Sequence, residues 1–554
     1  MFIYLFILIF ITNILCEDTV EEFRIVELPE GYVRGEKYWN GDIYEFFGVP
    51  YATAPKGQDR FKPPLPVTPR KEILKADKQA IMCYQTFYTG EEEEEKILNG
   101  EEDCLVSNIL VPLIANETNL VPVIVYIHSG AFSGGSANMG RLHYLARLGV
   151  VAINFNYRVG ALGFACLGTE EIPGNAGLKD QLAALKWIKN NIAKFGGDPK
   201  RITLAGYSVG ATMAELHAIS KHTDGLFDKL ILDSGSALAP FAINRHPITT
   251  AKNIALSLGY NGTNVKELTE FYLKASELDL AVKSLNFFMP NSTFGFAPCI
   301  ESSENNPEPY ITESPLETLK KGGIKKLAIL SGFTNMEGLS RSALFGKWKE
   351  LMNENFSDFL PADLIFKDVK TKEEVAEVVK SYYFKGDAIT VESKQEYVDY
   401  FSDSMFIYPI LKSLSLHAAI TTRPVYVYEF SYFGQLSTPH NFMETIKGVT
   451  HRDQVSYIWD FFGFTSDLKD MDVRDRMTYM WTDFVKYEDP TIYESSLINI
   501  KWKMYSNHQP YYLSIDSELQ MKEDPFPESY KFWNNIYKKY YWNPTYQKAD
   551  AAKK

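Results

Sequence analysis

The run Arg201-Ile202-Thr203-Leu204-Ala205-Gly206-Tyr207-Ser208-Val209-Gly210 leaves few folds open. An apolar, strand-like stretch meets a Gly-x-Ser-x-Gly pentad and passes at once into Met213, Leu216 and Ile219 at helical spacing. The pattern predicts strand, sharp turn, helix, with Ser208 at the apex. The glycines have a steric job, because a turn this tight leaves no room for a Cβ on either side of the serine. The same pentad also occurs in ordinary glycine-rich loops, so it indicates acyl transfer only if the remaining parts of such a site are present elsewhere in the chain.

From Val121 onward the chain alternates. Val121–Ile127 and Val150–Phe155 are strand-like, and a helix follows with an apolar stripe at Leu178, Leu182, Leu185 and Ile192, stopping at Gly196-Gly197-Asp198-Pro199. Strand-like runs return at Ile202–Ala205, Leu230–Leu232, Leu327–Leu330 and Val425–Phe430. Strands alternating with helices call for an α/β fold with a large, mostly parallel sheet covered on both faces. In such sheets the site lies beyond the carboxyl ends of the strands. Ser208, the segment after Ile127 and the segment after Leu330 all fall there. The second of these, His128-Ser129-Gly130-Ala131-Phe132, is built of small residues that let backbone N–H groups turn toward a bound carbonyl. With the N–H of Val209, those of Gly130 and Ala131 are candidates to hold a tetrahedral oxyanion. After Leu330 comes Glu337-Gly338, and later Gly448-Val-Thr-His451-Arg-Asp-Gln454. Serine, acid, histidine is the chain order that this arrangement imposes.

Composition supports one large globular domain. The 554 residues are 45% hydrophobic and 14% aromatic, with 23% charged and no low-complexity tract, linker or internal repeat. A net charge of −13 disfavours nucleic acid and anionic membrane surfaces as partners. Met1 to Leu15 is almost wholly apolar, too short to span a bilayer, and is followed by Cys16 and acidic Glu17-Asp18. Residues 1–16 are therefore expected to be a secretory signal peptide and residues 17–554 a single secreted domain with no membrane anchor. Four sequons, at Asn116, Asn261, Asn291 and Asn355, fit an extracellular route. Of the four cysteines beyond Cys16, Cys83 and Cys104 flank the acidic run Glu91–Glu95 and are the preferred bridge, although four cysteines allow three pairings. No Cys-x-x-Cys or His-x-x-x-His spacing signals a metal, and no cofactor is expected.

Further motifs carry a family resemblance. In order along the chain stand Phe47-Gly-Val-Pro-Tyr-Ala52, Arg60-Phe-Lys-Pro-Pro64, Glu102-Asp-Cys-Leu105, Asn156-Tyr-Arg-Val-Gly160 and Leu162-Gly-Phe164. Pro173-Gly-Asn-Ala-Gly-Leu-Lys-Asp-Gln181, Phe195-Gly-Gly-Asp-Pro199 and Ser234-Gly-Ser236 complete the series. From about Phe46 to Tyr537 the chain resembles the type-B carboxylesterases, the group that includes cholinesterases and juvenile hormone esterases. The resemblance implies an α/β-hydrolase fold and hydrolysis of a small-molecule ester, with Ser208 as nucleophile, Glu337 as acid and His451 as base. It also implies oxyanion donors at Gly130, Ala131 and Val209, a first disulfide between Cys83 and Cys104, and ion pairs Arg60–Glu102 and Arg158–Asp180. Tyr207 and Phe241 fall near the implied acyl pocket and suggest an apolar substrate.

The chain departs from the family at several of these positions. Tyr207 and Val209 replace the usual Glu and Ala of the elbow, Ser129 and Ala131 intrude into a Gly-rich oxyanion loop, and Gln454 stands where a carboxylate usually supports the histidine. None of these changes removes a backbone N–H. The tryptophan that binds choline in cholinesterases is absent from the stretch before Glu102, which disfavours choline esters. Because the family also contains adhesion and signalling members without catalysis, a non-catalytic binding role is the alternative; the filled triad positions argue against it.

Overall fold

The computed structural model describes residues 22–88, 96–284, 288–304, 306–322, 325–460 and 465–542. The expected signal segment 1–16, the run Glu91–Glu95 and the C-terminal tail lie outside the described residues. A 13-stranded sheet organises the rest. Its centre is a parallel array in the spatial order Val151–Phe155, Val121–Ile127, Gly197–Tyr207, Lys229–Asp233, Ala328–Thr334, Val425–Phe430 and Tyr511–Ile515. Antiparallel strands extend both edges, with Ile43–Pro50 and Val106–Pro112 on one side and Leu519–Glu523 on the other.

Every residue of Val121–Ile127, Val151–Phe155, Ala328–Thr334 and Val425–Phe430 is buried. Parallel strands covered on both faces must be apolar on both, which is why these segments read as unbroken hydrophobic runs. Alternate residues of one strand serve separate cores, as strand geometry requires. Val123, Val125 and Ile127 pack with the helices Ala176–Asn191 and Val209–Ala218, whereas Ile124 and Tyr126 pack with Met477, Trp481 and Phe484 of the helix Leu468–Tyr487. The helix Ala176–Asn191 continues as a 3₁₀ turn, Ile192–Phe195, and ends at Gly196 with φ of 87°. A Cβ there would also lie 2.5 Å from the Asn116 amide nitrogen, so glycine is required twice over.

Two disulfides fasten the segments around the sheet. Cys83 is bonded to Cys104, and Cys166, for which the sequence indicated no partner, is bonded to Cys299 across a separation of 133 residues. Gly174 gives the second bridge its space, since a Cβ there would stand 2.7 and 2.8 Å from the two sulfurs.

Of the two ion pairs implied by resemblance, Arg158 meets Asp180 at 2.6 Å. Arg60 does not meet Glu102. Its guanidinium reaches the end of the helix Val265–Lys274, donating to the carbonyls of Tyr272 and Ala275, and pairs with Glu277 at 2.5 Å. Carbonyls at a helix C-terminus lack intrahelical donors and carry the negative end of its dipole, and they draw the buried cation there. Glu102 is left 4.0 Å from the Lys56 ammonium at the surface.

Candidate active site

Ser208 stands between the strand Gly197–Tyr207 and the helix Val209–Ala218 with φ of 56° and ψ of −123°, a strained conformation for a residue bearing a Cβ. The turn closes because its neighbours have no side chains. A Cβ on Gly206 would lie 2.3 Å from the Gly210 carbonyl carbon, and one on Gly210 would lie 2.3 Å from the Ile127 oxygen. The amide of Ser208 donates to the Asp233 carbonyl at 2.8 Å, fixing the elbow to the next strand.

His451 comes from the loop that precedes the 3₁₀ turn Asp453–Tyr457 and lines the same cleft as Ser208. Its Nε2 lies 2.9 Å from Ser208 Oγ and its Nδ1 2.5 Å from Glu337 Oε2. Glu337 opens the 3₁₀ turn after the strand Ala328–Thr334 and is wholly buried. Its other oxygen, Oε1, accepts the Thr334 N–H at 2.8 Å and the Ser234 hydroxyl at 2.5 Å. The imidazole lies between aromatic rings, with Tyr207 at 4.9 Å and Phe406 at 4.4 Å. These rings restrict the imidazole's rotation. A neutral ring with its proton on Nδ1 would donate to the carboxylate and leave Nε2 open to accept a proton from Ser208.

Behind the acid lies a second polar layer. Gln454 donates through Nε2 to Ser234 Oγ at 2.7 Å and to Asp233 Oδ1 at 2.8 Å, and the Tyr428 hydroxyl donates to the same Asp233 oxygen at 2.9 Å. Because Ser234 Oγ accepts from Gln454, its own proton is directed to Glu337. Burial, with the charge of Glu337 adding to it, pushes the Asp233 carboxyl up to about 7. Asp453, the other acid near His451 in sequence, does not reach the ring. Its two oxygens accept the N–H groups of Thr438 at 2.7 Å and Thr450 at 2.9 Å, so it pins the histidine loop.

The oxyanion-loop candidates occupy the same cleft as Ser208. Gly130, Ala131 and Phe132 all have positive φ, of 122°, 51° and 62°, and Gly130 and Ala131 line the cleft. The Gly130 carbonyl is tied back by the N–H groups of Ser133 and Gly134, each at 3.0 Å, and a Cβ on Gly130 would lie 2.1 Å from the Gly134 oxygen. Val209 opens its helix, where first-turn N–H groups have no intrahelical acceptor and the dipole is positive.

The cleft has a volume of about 290 Å³ and aromatic walls formed by Tyr207, Phe288, Phe294, Phe406 and Trp459. Tyr207 lines it. Phe241 does not; it packs behind Phe294 at 5.1 Å and Phe406 at 5.7 Å and faces a separate cavity, because those two rings take the place in front of it. Phe406 is delivered by a π-helical turn, Asp403–Ile407. Neither it nor Phe288, Phe294, Trp459 or Arg341 has a local sequence signal. Ser234 had one, a Ser-Gly-Ser at the carboxyl end of a core strand. Of the sequons, Asn116, Asn261 and Asn355 are exposed, whereas Asn291 is half-buried on the second cavity.

The chain is similar to known esterases. The description of the carboxylesterase family matches residues 22–533. Venom carboxylesterase-6 of Apis mellifera is 32% identical, over 76% of this chain and 77% of that protein. A carboxylic ester hydrolase of Bombus ignitus is 30% identical, over 91% of this chain and 90% of that protein. Among solved structures, juvenile hormone esterase from Manduca sexta with OTFP covalently attached superposes with a TM-score of 0.82 at 27% identity, covering 93% of this chain and 100% of that one.

Proposed function

The chain belongs to the carboxylesterase family and is a carboxylic ester hydrolase, and from that premise we propose that it works through an acyl intermediate on Ser208, with His451 as base and Glu337 as acid. One observation carries this reading: Ser208 Oγ, His451 and Glu337 are joined by consecutive contacts of 2.9 and 2.5 Å. As Oγ attacks the ester carbonyl, its proton passes to His451 Nε2, and Glu337 stabilises the imidazolium through Nδ1–H. The carbonyl oxygen becomes an oxyanion facing the N–H groups of Gly130, Ala131 and Val209. Collapse expels the alcohol, protonated by Nε2–H, and leaves acyl-Ser208. Water then attacks the acyl carbon as its proton passes to the same histidine, and collapse breaks the acyl–Oγ bond, with Nε2–H returning the proton to Ser208 Oγ and the acid leaving. The covalently attached OTFP of the Manduca sexta enzyme accords with a covalent route.

Residues 17–554 form one domain in this reading, and the apolar segment 1–16 directs it to the secretory route. Two disulfides support an oxidising destination, and among the described residues no helix is long and apolar enough to cross a membrane. Reaction with a fluorophosphonate probe, which needs an activated serine, tests the assignment. Wild type should label and turn over a short aryl ester, and folded Ser208→Ala should do neither. Turnover by the alanine variant within about tenfold of wild type would refute it, since loss of the nucleophile costs several powers of ten.

A further inference from the structure

Two arginines, Arg341 and Arg452, line the cleft, and hydrolysis of a simple apolar ester gives the buried one, Arg341, no purpose. Arg341 lies four residues beyond Glu337 on the same 3₁₀ turn, and its side chain forms part of the cleft wall beside Phe288 and His451. The residue is only 2% exposed. Its guanidinium carbon sits 3.4 Å from the centre of the Phe288 ring. Nε is buried without a hydrogen-bond partner, and Nη1 is offered only the Ser340 hydroxyl at 3.2 Å and the Ser340 carbonyl at 3.5 Å.

Other arginines in this protein show what burial normally demands. The side chains of Arg60, Arg158 and Arg245 are each 5% exposed, and each is given a carboxylate: Glu277 at 2.5 Å, Asp180 at 2.6 Å and Asp363 at 3.9 Å. Among the described residues Arg341 has no carboxylate in direct contact; the charge of Glu337 acts on it from behind His451 without a hydrogen bond, and no Asp or Glu is among the residues that line the cleft. A guanidinium removed from water is destabilising unless a counter-charge or hydrogen bonds replace the solvent. The ring of Phe288 covers its face and compensates in part. It cannot accept the N–H groups that radiate in the guanidinium plane. Burial accordingly pushes the pKa of Arg341 down to about 10, where the side chain still carries its charge at neutral pH.

Building on the esterase reading, we propose that the substrate is an ester bearing a free carboxylate on its acyl or its alcohol part, and that Arg341 is the specificity-determining residue that binds this carboxylate. The aromatic walls hold the carbon skeleton, and the planar N–H fork supplies paired donors matched to a carboxylate. The anion then supplies the hydrogen-bonded counter-charge that Glu337, acting only at longer range, does not.

The test compares matched esters on the purified full-length protein at pH 7.5. One pair places the charge on the acyl side: the 4-nitrophenyl monoester of glutaric acid against its neutral amide counterpart. The other places it on the alcohol side: 4-carboxyphenyl butyrate against 4-carbamoylphenyl butyrate. In one of the pairs kcat/KM should favour the anion by about 10- to 100-fold, the range of a hydrogen bond to a charged group in a desolvated site. In Arg341→Gln the same ratio should fall to near one, and Arg341→Lys should restore part of it. Wild type that is indifferent in both pairs, or prefers the neutral members, overturns the proposal without needing any variant. So does a preference that survives Arg341→Gln. Turnover of the neutral esters and labelling by fluorophosphonate report separately on Ser208; if both are absent, the esterase reading fails and the substrate proposal fails with it.

Discussion

Replacing Glu337 by Gln keeps the shape of the site and changes one proton. The amide must decide which way to face. On the Oε1 side two donors converge, the Thr334 N–H at 2.8 Å and the Ser234 hydroxyl at 2.5 Å, and because Ser234 accepts from Gln454 its proton is given to this oxygen and not to Gln454. The amide oxygen therefore takes that side. The NH₂ group then faces His451 Nδ1, where the carboxylate oxygen stood at 2.5 Å, and donates to it. Nδ1 becomes an acceptor, and the ring proton moves to Nε2, pointing at Ser208 Oγ, 2.9 Å away. In this tautomer the histidine cannot take the serine proton, and the imidazolium loses its counter-charge. The expected loss is about 10⁴-fold in kcat, equivalent to about 5 kcal/mol of barrier at 1.36 kcal/mol per decade. KM should change little, because Glu337 lies behind His451 and not on the cleft wall. Steady-state hydrolysis of a 4-nitrophenyl ester, with circular dichroism to show that the variant is folded, makes the measurement. A folded Glu337→Gln enzyme with kcat within tenfold of wild type would refute the tautomer argument and the role of Glu337 with it.

Asp453→Asn should be much milder, with turnover within about tenfold of wild type and a stability loss of about 1–2 kcal/mol, because this side chain anchors the backbone of Thr438 and Thr450 and does not touch the ring; the reverse ranking of the two variants in the same assay would move the acid to position 453. For Asp233 the prediction concerns pH. A carboxyl that titrates near 7 when folded and at its ordinary 3.8 when unfolded makes the folded state bind more protons between those values, so its contribution to stability falls as pH rises from about 4 to about 7 and stays low above that. Asp233→Asn should remove this loss, so its stability relative to wild type in urea melts should rise by about 1–3 kcal/mol between pH 5 and pH 8; a difference independent of pH would show that the group does not titrate there. The two disulfides should differ in worth. Replacing Cys166 and Cys299 together by Ala should cost about 5 kcal/mol and replacing Cys83 and Cys104 about 3 kcal/mol, since the chain-entropy gain grows with loop length and the separations are 133 and 21 residues; equal losses in denaturant melts would contradict that account.

What could be read from the sequence is what local sterics and strand burial dictate. Val121–Ile127, Ala328–Thr334 and Val425–Phe430 announce themselves because a parallel strand buried on both faces admits no polar alternation. The elbow does so because Gly206 and Gly210 have backbone where a Cβ would be. Glu337 and His451 were identifiable through the motifs around them, and the structure brings both to Ser208. The features hidden from sequence depend on distant partners. Cys299 finds Cys166 across the fold, Arg60 follows the carbonyls at a helix end to Glu277, and the cleft wall draws Phe288, Phe406 and Trp459 from separate segments.

Arg341 shows most clearly where the boundary lies. In a linear reading a lone arginine two positions beyond Leu339 is a solvated surface charge, since long cationic side chains normally snorkel to water. Only the packing of the 3₁₀ turn Glu337–Leu344 against the helix Lys394–Ser402 reverses that. Tyr397 donates its hydroxyl to the Arg341 carbonyl at 3.0 Å, and the Gly338 N–H donates to Ser402 Oγ at 2.8 Å. A Cβ on Gly338 would lie 2.1 Å from the Val398 oxygen, so the turn can approach the helix this closely only with glycine at that position. The turn that delivers the acid to His451 is thus the turn that carries Arg341 out of water and onto the cleft wall. The proposed acid and the proposed specificity residue are set by one backbone segment. It follows that Gly338→Ala should impair both together, lowering kcat for every ester and weakening the preference for the anionic one, whereas Arg341→Gln should act on the preference without displacing Glu337.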